Sequence, residues 1–149
     1  MLYSKTCEYA VRSLAYLSRQ PQGKLRGVPE VSRETGVPGP YVAKIFQHLV
    51  GAGILRSSRG KGGGFALDRE PATLSLLEII NAIDDIGPWE ECVMGLDRCN
   101  NDNGCPVHTI WKKARERITA KLKRTTLAGM NKKIGKAGYR DLKRAKLNL

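Results

Sequence analysis

The sequence predicts a mostly α-helical fold: a winged helix-turn-helix with a small β-hairpin wing and a long C-terminal dimerisation helix. Three observations predict it. Two segments with apolar residues at helical spacing flank a turn at Gly36. The stretch ILRSSRGKGGGFAL, residues 54–67, sets strand-forming residues either side of a glycine-rich tip. From Pro106 onward an apolar stripe runs through Val107, Ile110, Trp111, Ala114, Ile118 and Leu122.

Taken in chain order, residues 4–18 place Cys7, Ala10, Val11, Leu14 and Leu17 on one helical face, with Ser4 as the N-cap. A short second helix is expected over 29–35, with Pro29 in its first turn and Gly36 ending it. In GPYVAKIFQHLVGAG, Val42, Ile45, Phe46 and Leu49 share one face, while Ala43, Lys44, Gln47 and His48 share the other. Two amphipathic helices joined by such a turn make a helix-turn-helix. A strand from Ile54 to Ser58, a turn through Gly60, Gly62, Gly63 and Gly64, and a strand from Phe65 to Leu67 then form the wing, with Arg59 and Lys61 at its tip. In a winged helix the second helix of the pair enters the major groove, and the wing approaches phosphate or the minor groove. Pro40, Tyr41, Lys44 and Gln47, at the start of that helix, are therefore candidate DNA contacts beside Arg59 and Lys61.

Past Pro71, LSLLEIINAIDD offers Leu76, Ile79, Ile80 and Ile83 as a further helical stripe. The expected organisation is a DNA-binding unit over 1–70, then a linker helix, a cysteine loop and a dimerisation helix over 71–128. A mobile basic tail is expected over 129–149. A chain of 149 residues is long enough for one core with appended elements. The long helix needs a partner surface, and a second copy of the chain is the expected one.

Charge narrows the class of partner. The net charge is +12, but residues 1–67 carry ten basic against three acidic side chains, residues 68–120 six against ten, and residues 121–149 ten against one. Basic ends around an acidic middle suit a polyanionic partner, because clustered Lys and Arg release condensed counterions from nucleic acid. An RNA-binding role would need an aromatic stacking face, which the sequence does not offer. No apolar run approaches the roughly 20 residues that span a bilayer, and no apolar leader follows the opening MLYSK, so a cytoplasmic protein without a membrane partner is expected.

Three of the four cysteines fall in CVMGLDRCNNDNGCPVH, residues 92–108, as Cys92-x6-Cys99-x5-Cys105-x2-His108. In a reducing compartment such a group is metal-binding or redox-active more often than disulfide-forming. Structural zinc usually pairs cysteines two to four residues apart, and these gaps fit that chelate poorly. They are not ferredoxin-like either, so spacing alone indicates a soft-metal site. Unligated thiols are the plain alternative. An enzyme is not expected: the chain has no Cys-x-x-Cys pair, no nucleotide-binding glycine motif and no polar triad.

Together, YAVRSLAYL, Gly36 before the third helix, SSRGKGGGFAL, LLEIINAID, the cysteine loop and the long helix resemble the Rrf-two family of bacterial transcription regulators over roughly residues 1–128. That family includes an iron-sulfur cluster regulator and a nitric-oxide-sensing repressor. The resemblance implies a homodimer that binds a double-stranded DNA operator as a repressor, under the control of a [2Fe-2S] or [4Fe-4S] cluster on Cys92, Cys99 and Cys105. It offers two candidates for the fourth ligand, His108 by its two-residue gap from Cys105 and Glu8 by its place on the first helix. Cys7 is the third candidate, although its place on an apolar stripe makes core packing its ordinary role. Glu8 has an ordinary role too, as partner of Arg12 one turn on. The sequence departs from the best known cluster-binding branch twice: the first gap has six residues rather than five, and Ala43 stands where that branch has an acidic base-reading residue. The operator sequence does not carry over. A cluster-free regulator of the same fold, responding to thiol oxidation or a small ligand, is the competing expectation.

Overall fold

The structure is a computed structural model that describes residues 3–84, 92, 94, 95 and 105–134. Among these, six helices and one two-stranded antiparallel hairpin follow in the order α1 (Lys5–Leu17), α2 (Val28–Thr35), α3 (Gly39–Gly51), β1 (Leu55–Ser58), β2 (Gly64–Leu67), α4 (Leu76–Ile83), α5 (His108–Arg124) and α6 (Leu127–Ile134).

The local chemistry of the first three helices matches the sequence. The Ser4 hydroxyl accepts from the Cys7 N–H at 3.1 Å and starts α1. Cys7, Ala10, Leu14 and Leu17 turn inward, and Val11 is half-buried. α2 ends at Gly36, whose φ of +68° is the left-handed conformation that lets its N–H reach the Ser32 carbonyl. Along α3, Val42, Ile45, Phe46 and Leu49 are all buried. Burying each of these large apolar side chains is worth roughly 1.5–3 kcal/mol.

The wing pairs Leu55 with Leu67, Arg56 with Ala66, Ser57 with Phe65 and Ser58 with Gly64. Its first strand starts at Leu55, one residue later than expected, because the Ile54 N–H closes the end of α3 on the Leu49 carbonyl. Its second starts one residue earlier, at Gly64. A further bridge joins Arg26 to Phe65, with both backbone bonds at 2.9 Å. Gly64 allows that approach: at φ +149° a Cβ there would lie 2.5 Å from the Arg26 carbonyl oxygen. The Phe65 ring meets Phe46 edge to face, centroids 5.1 Å apart, so the wing root and α3 share one piece of core.

α4 opens with a capping box in which Ser75 and Glu78 exchange hydrogen bonds. After α5 the chain returns to this point: the Leu76 N–H donates to Thr125 and the Leu127 N–H to Leu74, at 2.9 and 2.8 Å. Residues 129–134, expected to open a mobile tail, belong to α6, whose Leu127 and Met130 are buried against the core. Residues 135–149 lie outside the described residues. No helix among the described residues is long and apolar enough to cross a membrane.

Candidate nucleic-acid interface and cysteine segment

The face of α3 opposite its apolar stripe is exposed from Pro40 through Tyr41, Lys44, Gln47 and His48. The sequence-predicted contacts are thus together on one surface, and Tyr41 is fixed there by an edge-to-face contact with Tyr9 at 5.6 Å. A groove of about 400 Å³ runs along this surface, lined by Thr6 of α1, by Tyr41, Lys44, Ile45, Gln47 and His48 of α3, and by Ile83 of α4. Arg59 and Lys61 are exposed in the turn between β1 and β2. Cationic tips on a rigid hairpin beside an exposed helix face are suited to phosphate contact on either side of a groove reader.

Arg26 joins three parts of this head. Its guanidinium pairs with Glu30 at 2.7 Å and donates to Gln20 at 2.7 Å, while its backbone bridges to the wing. Glu30 also accepts from the Tyr16 hydroxyl at 2.8 Å. Burial first, and the Glu30 carboxylate next, push the Tyr16 phenol up to about 12, so it stays a donor. Sequence reasoning missed Arg26 because a one-residue bridge leaves no periodicity to read.

The cysteine segment begins where α4 ends. Asp84 accepts from the Ser4 N–H and the Ser4 hydroxyl, each at 2.6 Å, tying the end of α4 to the start of α1. Cys92 is buried at 7% exposure and Cys105 is half-buried. The His108 N–H donates to the Cys105 carbonyl at 3.1 Å. This closes a four-residue turn that holds the two α-carbons within roughly 7 Å at the start of α5. His108 itself is 6% exposed. Cys99 lies outside the described residues, and among the described ones no group of three His, Cys, Asp or Glu side chains is placed to hold a metal ion.

The two α1 candidates are engaged otherwise. Glu8 pairs with Lys5 and with the buried Arg12. Cys7 is fully buried, and burial together with the Asp84 carboxylate pushes its thiol up to about 12. Its side chain packs among the buried residues of α1.

A reading helix and a cationic wing on one rigid head define a winged-helix DNA-binding transcription regulator. The chain belongs to the Rrf2 family, described as iron-dependent transcriptional regulators, whose pattern matches residues 3–133. A chain of Aquifex aeolicus (strain VF5) assigned as an HTH-type transcriptional regulator is 33% identical over 129 residues, covering 85% of this chain and 89% of that one. The HTH-type transcriptional regulator IscR of Yersinia pseudotuberculosis serotype O:1b is 29% identical over 120 residues, covering 80% and 73%. Among solved structures, T. potens IscR superposes with a TM-score of 0.69 at 25% identity, covering 90% of this chain and 88% of that chain. CymR (YrzC), the global cysteine regulator of B. subtilis, gives 0.73 at 20% identity, covering 87% and 95%, a likeness of fold. These relatives are transcriptional regulators and not enzymes, as the sequence predicted.

Proposed function

We propose that this regulator is a cytoplasmic homodimeric repressor whose affinity for its operator is set by an iron-sulfur cluster on Cys92, Cys99 and Cys105, with His108 as the fourth ligand. The observation that carries the reading is the turn from Cys105 to His108. It brings the backbones of a cysteine and a histidine together at the start of α5, and His108, like Cys92, is sheltered from solvent. The donor set fits such a group, since sulfur and imidazole are the ligands that iron-sulfur centres take from proteins. When bound, the group supplies a centre reactive toward oxidants and nitric oxide.

The chain's own residues supply the coupling. The cysteine segment connects α4, which packs on α1 and α3, to α5. The α5 stripe supports the dimer: Ile110 is 74% exposed in the single chain, and Trp111, Ala114, Ile118 and Leu122 are half-buried. Gain or loss of the cluster in a segment standing between the dimer helix and the reading head would change the relative placement of the two heads. Two half-sites one helical turn apart must be met together, so that placement sets affinity. Pro40, Tyr41, Lys44 and Gln47 would read the groove, with Arg59 and Lys61 on the backbone.

Anaerobic purification with iron and acid-labile sulfide analysis tests the reading. Iron and sulfide in equal amounts, with visible absorption lost in Cys92→Ser, Cys99→Ser and Cys105→Ser, is the expected result. His108→Ala should shift the spectrum and Glu8→Ala should leave it alone. A colourless, iron-free protein would contradict the cluster and favour thiol oxidation on the same cysteines.

A further inference from the structure

Three hydrogen bonds bind the end of α4 to the two helices of the DNA-reading head. His48, on the exposed face of α3, places Nε2 at 2.5 Å from the Ala82 carbonyl, which accepts its proton. Two residues on, Asp84 holds Ser4, the N-cap of α1, through both carboxylate oxygens. Between them, Ile83 lines the same groove as Tyr41, Lys44 and Gln47. The end of α4 is thus a wall of the reading surface itself.

A helix that reads bases must hold its side chains in one pose, because a bidentate contact to a base edge is lost over small displacements while phosphate attraction is not. The buried stripe of α3 fixes its depth and its gross rotation in the core, while the exposed side of the helix is left to contacts of its own. A directional bond from the exposed side of the helix to the Ala82 carbonyl restrains the small rotations that packing leaves. We propose that the end of α4 is a latch that sets the pose of α3, and that His48 is a positioning residue for base readout, acting through Ala82, with Asp84 anchoring the same turn. The inference rests on the DNA-binding function alone and is independent of iron content.

The test uses the full chain, a duplex selected by the wild-type protein from a randomised DNA pool, and an unrelated duplex of equal length. His48 is exposed, so His48→Ala is expected to fold, and melting measured alongside separates unfolding from loss of pose. Loss of one hydrogen bond should weaken binding to the selected duplex about five- to tenfold. Affinity for the unrelated duplex and the salt dependence should not change. His48→Gln, which keeps a donor, should restore part of the loss, and Asp84→Ala should lower the selected-to-unrelated ratio in the same direction. An unchanged ratio in His48→Ala or in Asp84→Ala would overturn the latch. So would an equal weakening on both duplexes with a salt slope smaller by about one, which would make His48 a phosphate contact.

Discussion

Asn131 of α6 donates to the carbonyl of Ala15 in α1 at 3.2 Å, and also to the Ser18 hydroxyl, across more than a hundred positions of sequence. With Leu127 and Met130 buried beside it, this contact docks the end of the described chain onto the first helix of the reading head. Asn131→Ala should therefore cost about 1–2 kcal/mol in urea unfolding at neutral pH, the usual loss for a half-buried side chain with two bonds. Unchanged stability would mean that α6 rests on its two apolar residues alone.

Glu78 sits in the α4 capping box, where the Ser75 backbone and hydroxyl and then Arg69 hold its carboxyl down to about 2, from an ordinary 4.5. A depressed folded-state value stabilises the fold at pH above 4.5, and that contribution fades as pH falls toward 2. The side chain is 45% exposed, so solvent screening leaves about 0.5–1 kcal/mol. Glu78→Gln should lower stability at pH 7, and the gap to the wild type should close only as pH falls through about 2. A constant offset at all pH values would assign the effect to lost packing.

The wing offers a contrast between tip and root. Arg59→Ala and Lys61→Ala should leave melting unchanged and weaken DNA binding, each reducing the salt slope by about one. Gly64→Ala should act differently, because a Cβ there would meet the Arg26 backbone. Forced separation of the Arg26 and Phe65 bridge should cost about 2 kcal/mol or more and reduce binding to all sequences alike. A Gly64→Ala protein as stable as the wild type would show that the bridge is dispensable.

The apolar stripe of α5 predicts self-association. Ile118→Glu should convert the dimer into a folded monomer in sedimentation and abolish high-affinity binding to a two-half-site duplex. A dimer of undiminished affinity would place the interface elsewhere.

What the sequence displays is periodicity. The stripes of α1 and α3 and the glycines of the wing are each spelled out by residue spacing, and they fix the reading head to within one residue at each strand. Isolated polar contacts leave no such trace. α6 has Gly129 and two lysines in eight residues and buries only Leu127 and Met130, too few positions for a period. Its start, where the Thr126 hydroxyl accepts from the Gly129 N–H, and its dock through Asn131 exist only once the chain has turned back. His48 read as one more polar residue on an exposed face, because its partner is a backbone carbonyl 34 residues away. In the cysteine segment the ligand types were legible, and Pro106, with its fixed φ at the second position of the turn from Cys105 to His108, is a signal that could have placed that turn.

The most direct measurement of the central claim is the affinity for the selected operator duplex of anaerobically purified, iron- and sulfide-containing protein, compared with the same preparation after iron is removed by chelation under reducing conditions. Control of DNA binding through Cys92, Cys99 and Cys105 predicts affinities that differ at least tenfold, with a Cys92→Ser, Cys99→Ser, Cys105→Ser protein fixed at the iron-free value. Equal affinities for the two forms, or a triple variant that still responds to iron removal, would contradict it.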